Sequence, residues 1–140
     1  MEIITALILS IAAEVGIPPY FALAVALIEN PQLDQFALSD RNANGSIDRG
    51  VMQLNSYTFP DINWSDPETN IRAGCEYLKH LADMDIHNTW WAVAISYNCG
   101  YNKLNDPPVS TIGYAGRVIN KWEELDPHGF YVVINKRRGL

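Results

Sequence analysis

Residues 19–30 read PYFALAVALIEN, a stretch that is apolar around the whole helical wheel until its last two positions. A helix without a polar face belongs in a core. Pro19, or Pro18 beside it, suits the first turn, where a missing N–H costs nothing. Pro31 biases Asn30 away from helical angles, so the helix should end at Glu29. The chain thus delivers a lone carboxylate to the end of a buried helix, although unpaired Glu is rarely fully buried. The plain alternative is a Glu that reaches solvent at the helix end.

Helical periodicity extends outward from this stretch. Ile3, Ile4, Leu7, Ile8, Ile11 and Val15 share one face of a helix over 2–15, with Gly16 placed to end it. Residues 30–65 are rich in Asn, Asp, Ser, Gly and Pro around VMQL and read as a long loop with one short helical or extended insert; loops of this length tend to be functional. Asp66 caps and Pro67 opens DPETNIRAGCEYLKHLADM, with Ile71, Cys75, Leu78, Leu81 and Ala82 on one face. Asn88 is the expected cap of TWWAVAISYN, which Gly100 follows, and Ser110 that of TIGYAGRVINKWEEL with Ile112, Val118, Ile119, Trp122 and Leu125. FYVVI near the C-terminus alone looks like a strand. The expectation is a mainly α fold: a compact helical domain over 1–126 and an extension over 127–140 with a short strand and a basic tail.

Composition narrows the function. A 140-residue chain, 48% hydrophobic and 19% charged, is long enough for one domain with a real core. A net charge of −6 argues against a nucleic-acid partner, since the basic cluster is confined to Lys136, Arg137 and Arg138. The apolar N-terminus lacks the positive charge of a signal peptide, and Glu14, Gly16 and Pro18–Pro19 interrupt it before it could span a membrane. Cys75 and Cys99 lie in no metal-ligand spacing; they could pair or stay free, and inside helices among small apolar neighbours they read as reduced, small hydrophobes. No metal, cofactor or membrane span is expected, and a monomer is.

Residues 39–55, SDRNANGSIDRGVMQLN, imitate a calcium loop: Asp40, Asn42, Asn44 and Gly45 fall in order. Position twelve, which should hold a bidentate Glu, is Val51, and no adequate helices flank the loop. A polar connector that turns Ser39 and Val51–Gln53 toward Glu29 is the better reading.

Several segments, read together, resemble the soluble lytic transglycosylase (SLT) domain of the lysozyme-like superfamily. ALAVALIEN is similar to the helix ending in the catalytic Glu, with Ser39 ten residues on in FALSD. GVMQLN resembles the Gly-Leu-Met-Gln core, and NIRAGCEYL with AVAISYNCG matches the Asn-Ile, Ala-Gly, Tyr-Leu and Ala-Tyr-Asn-Ala-Gly segments. TIGYAGRV is similar to the Thr-x-x-Tyr-Val start of the last helix. The ordered set covers most of residues 3–120. NANGSIDRGVMQLN further resembles small transglycosylases that accompany secretion, conjugation and pilus machines.

The resemblance implies a lysozyme-like fold with long loops around a saccharide cleft, and cleavage of the β-1,4 bond between N-acetylmuramic acid and N-acetylglucosamine to give a 1,6-anhydro sugar. It makes Glu29 the catalytic acid and then base. It gives Ser39, Met52 and Gln53 sugar contacts near the scissile bond, puts the Tyr97 phenol close to the acid, has Asn98 bind saccharide or hold the site together, and turns Tyr114 toward the cleft. Without it, Met52 would read as core filling, Tyr97 as a buried aromatic and Asn98 as a helix end. Asp34, Asp40, Asp48, Glu68 and Glu76 sit in polar sequence and were not expected to share the setting of Glu29. Two departures stand out: Asn30 replaces the Ser that usually follows the Glu, and Ser110 stands where an acidic residue often precedes the Thr.

The rival readings are a lysozyme-type muramidase using water, a wall-binding module without catalysis, and the calcium-binding module. Peptidoglycan glycan strands are the implied partner, with secretion, conjugation or phage machinery as a carrier. Such a substrate places the action in the periplasm or outside the cell, so with no signal peptide visible the chain is expected to be an excised domain, to travel with an apparatus or to be released by a holin.

Overall fold

The computed structural model describes residues 1–134. The order is α1 (Glu2–Val15), α2 (Pro19–Glu29), β1 (Asp48–Arg49), β2 (Leu54–Asn55), α3 (Pro67–Asp83), α4 (Trp90–Cys99), a 3-10 turn (Tyr101–Lys103) and α5 (Val109–Leu125). The mainly helical expectation holds, and the apolar helix α2 is central, packing on both α1 and α5. Its residues Phe21–Ala26 are buried, and Phe21 holds Trp90 of α4 and Trp122 of α5 at ring distances of 4.9 and 5.2 Å.

Several local expectations are corrected. The side-chain cap of α4 is Thr89, which accepts from the Ala92 N–H, rather than Asn88. Helix α5 starts behind Pro108 without a side-chain cap, so Ser110 lies inside its first turn. Ile3 is 77% exposed, because the first turn of α1 projects beyond the core that holds Ile8 and Ile11. FYVVI contributes a single bridge, Val133 to Thr89, instead of a strand, while Phe130 and Tyr131 pack their rings on Trp122. The basic tail lies outside the described residues. Cys75 and Cys99 are both free thiols, and burial pushes Cys75 up to about 12. Among the described residues, no helix is long and apolar enough to cross a membrane.

The long loop folds back as a small antiparallel hairpin, Asp48 opposite Asn55 and Arg49 opposite Leu54. Fully buried Asn70 of α3 fastens it: its Oδ1 accepts from the Met52 N–H at 2.9 Å, and its Nδ2 donates to the carbonyls of Arg49 and Trp64, each at 3.0 Å. Gly50 lies directly above, with φ +78°, where a Cβ would press on the Asn70 amide and approach the Trp64 carbonyl to 2.6 Å. Only glycine meets both demands. Gly74 leaves room for Met52, which packs against it.

Asn70→Ala should therefore destabilise the domain by about 3 kcal/mol, since three buried backbone groups lose their partner. Urea denaturation measures this; an unchanged midpoint would mean that the hairpin is held some other way.

Candidate active site

Glu29 ends α2 on the wall of a cleft of about 660 Å³, a size typical of small-ligand sites. The Tyr114 hydroxyl, from α5, donates to Glu29 Oε2 at 3.1 Å. Burial, with a smaller push from the charge of Asp48, lifts the carboxyl from 4.5 to about 7 against the pull of that hydrogen bond. At neutral pH a substantial share of the group therefore keeps its proton, as a general acid requires.

The chain turns sharply after Glu29. Asn30 is buried, with φ −150°, and its Nδ2 donates to the carbonyls of Asp34, Gly50 and Val51 at 2.9, 3.3 and 3.4 Å. The residue that departs from the usual Ser thus ties the end of α2 to the hairpin. This fixes the direction in which Glu29 leaves its helix.

Glu29, Gln53, Tyr97 and Asn98 line the cleft together. Gln53 adopts φ +53°, a left-handed conformation rare for a non-glycine residue, and its Nε2 donates to the carbonyls of Gly50 and Ala37 at 3.0 and 3.2 Å. Strain of this sort collects at functional sites. The Tyr97 hydroxyl donates to the Met52 carbonyl at 2.7 Å, and Asn98 Oδ1 accepts from the buried Thr111 hydroxyl at 2.6 Å, joining α4 to α5.

The other three residues, Ser39, Met52 and Tyr114, are not among those that line the cleft. The Met52 side chain is fully buried against Gly74, so its part is core packing plus a carbonyl for Tyr97. Ser39 Oγ accepts from the Asp48 N–H at 2.9 Å and donates to the Asp40 carbonyl at 2.8 Å, which pins the hairpin. Tyr114 is 4% exposed and reaches the cleft through Glu29.

Asp48, which its polar sequence context does not single out, belongs to the wall as well. It lines the same cleft as Glu29, with Oδ1 accepting from Asn55 at 3.0 Å and from Asn42 at 3.4 Å. Asn44 Oδ1 accepts from the Ser46 hydroxyl at 2.6 Å, and Asn42 Nδ2 donates to Ser46 Oγ at 3.1 Å. Asn42, Asn44, Ser46 and Asp48 of the calcium-like stretch are thus engaged with one another, and they line one side of the cleft. Among the described residues, no cluster of His, Cys, Asp and Glu is arranged to hold a metal. The alternation of side chains in a hairpin, had the turn been recognised, would have revealed Asp48.

The model of the family described as "Transglycosylase SLT domain" matches residues 6–111. The chain belongs to that family. The match begins in α1 and ends at Thr111, so it takes in the SLT domain's Glu29 helix, the hairpin and α3 and α4. A similar protein is "Membrane-bound lytic murein transglycosylase F" of Pseudoalteromonas translucida (strain TAC 125), 34% identical over an alignment of 86 residues that covers 55% of this chain. The matched part amounts to 18% of that relative's length.

Proposed function

We propose that the domain is a peptidoglycan lytic transglycosylase that cuts the β-1,4 bond between N-acetylmuramic acid and N-acetylglucosamine. Its place of action is then the cell wall, in the periplasm or outside the cell. The observation that carries this is one carboxyl, Glu29, raised to about 7 on the wall of a polar cleft, in a chain of the SLT family.

The chemistry closes on that single group. Protonated Glu29 gives its proton to the glycosidic oxygen as the bond to C1 breaks, and positive charge develops on the muramoyl ring. The muramoyl C6 hydroxyl then attacks C1 and releases its proton to the Glu29 carboxylate. The product is a 1,6-anhydro sugar, no water is consumed, and the enzyme ends protonated as it began. Tyr114 steadies the carboxylate between the two steps by donating to it.

Asp48 favours a second reading. Most glycosidases use two carboxyl groups, one as acid and one as nucleophile or as base for water. With Asp48 in the cleft beside Glu29, a lysozyme-type muramidase is chemically available. Mass spectrometry of digested peptidoglycan separates the two: the proposed products lack one water relative to reducing ends. Reducing ends alone would overturn the transglycosylase in favour of the muramidase.

Two substitutions probe the same question through pH. A step that needs protonated Glu29 slows as pH rises through about 7. Tyr114→Phe removes a hydrogen bond that favours the charged form, so the falling limb of kcat should move to higher pH. Asp48→Asn removes a charge that favours the neutral form, so the limb should move to lower pH with turnover retained. Loss of all turnover in Asp48→Asn would instead make Asp48 a catalytic partner.

A further inference from the structure

We infer that Lys103 receives a carboxylate of the substrate and makes the cleft select acid-bearing glycan strands over neutral ones. The inference rests on the reading of the cleft as a glycan site. The charged residues lining that cleft are Glu29, Asp48 and Lys103. The first two belong to the reacting end. Lys103 is therefore the cleft's only cation among the described residues.

Its setting leaves the ammonium uncommitted. Lys79 pairs with Asp83 at 2.8 Å and Lys121 with Glu124 at 3.4 Å, whereas Lys103 makes no ion pair with another described residue. Its backbone is nonetheless fixed. The Lys103 N–H donates to the Gly100 carbonyl at 3.2 Å, and the Lys103 carbonyl accepts from Asp106 at 3.1 Å, so the stem springs from an ordered turn directly after α4. The neighbouring cleft residue Asn98 is tied to α5 through Thr111. An exposed ammonium without an ion-pair partner among the described residues, on an ordered turn, is poised for an anion.

The chemistry of the strand supplies one. A strand of N-acetylglucosamine alone offers hydroxyls and amides. A muramoyl residue carries a lactyl group whose carboxyl is free, or is joined to a peptide that has its own free carboxylates. Either source presents the same group to Lys103. The bland alternative is a lysine that merely complements the carbonyl end of α4.

Binding to Glu29→Gln protein, which keeps the shape of the site without its acid, provides the test. Affinities are measured by calorimetry for a muramoyl-peptide tetrasaccharide, for its peptide-free form with the lactyl carboxyl exposed, and for a neutral N-acetylglucosamine tetramer, with and without Lys103→Met. Lys103 should favour at least one acidic ligand over the neutral one by about threefold to fivefold, the upper part of the range for an exposed ion pair. Lys103→Met should erase that preference, and added salt should weaken it. The acidic ligand that loses its advantage identifies the source. An equal loss on all three ligands, or no loss, overturns the role of Lys103 while leaving the glycan site standing. Failure of every ligand to bind would overturn the glycan site as well.

Discussion

Glu29→Gln is expected to cut the rate of peptidoglycan cleavage by about a hundredfold to ten-thousandfold, the usual contribution of a positioned general acid. The substitution preserves shape and can still accept from the Tyr114 hydroxyl, which donates to Oε2 in the native protein. What it removes is the proton that the leaving oxygen needs and the base that later takes the C6 proton. Both halves of the reaction lose the same group, so no remaining step can compensate. Turnover on purified sacculi is the measurement, with circular dichroism to verify the fold. Activity near the native level would remove Glu29 from the mechanism and leave a wall-binding module as the better account.

The same substitution should stabilise the domain above neutrality. The Glu29 carboxyl has a pKa of about 7 in the folded state against 4.5 for an unperturbed Glu, so between these values the folded state binds more protons. Stability consequently falls as pH rises through that window, and the charged group is penalised in full above it. The full difference amounts to about 3 to 4 kcal/mol. Below pH 4.5 the carboxyl is neutral in both states and the penalty vanishes. Urea denaturation of native and Glu29→Gln protein at pH 4 and pH 8 should show a gap that opens by about 3 kcal/mol in favour of the variant. A gap independent of pH would mean that Glu29 is better solvated than its position implies. A site that works by withholding water from a carboxylate weakens the fold that holds it.

Much of this arrangement was legible in the sequence. The helices announce themselves through apolar spacing, and Pro19 and Pro31 bracket α2 so closely that Glu29 could be placed at its end. The face of α3 through Ile71, Cys75, Leu78, Leu81 and Ala82 is buried as its spacing predicts. The hairpin was not legible, because strands of two residues carry no period to read. Its position depends instead on long-range partners: Asn70 is 18 residues from Met52, and Asn30 is 20 from Gly50. Asp48 was hidden for the same reason, since a carboxylate among Asn and Ser looks solvated until the turn folds it into the cleft. Asn30 looked like a doubtful replacement for Ser, yet it clamps α2 to the hairpin. Met52 shows the reverse limit, for its motif suggests a sugar contact while its side chain fills the core.

The central claim is that burial beside a polar cleft holds a proton on Glu29 at neutral pH. The direct measurement is an NMR titration of the Glu29 carboxyl in the unliganded domain, assigned by its loss in Glu29→Gln. A midpoint at about 7 is the predicted result. A midpoint at 4.5, the value of an unperturbed Glu, would contradict the account at its root.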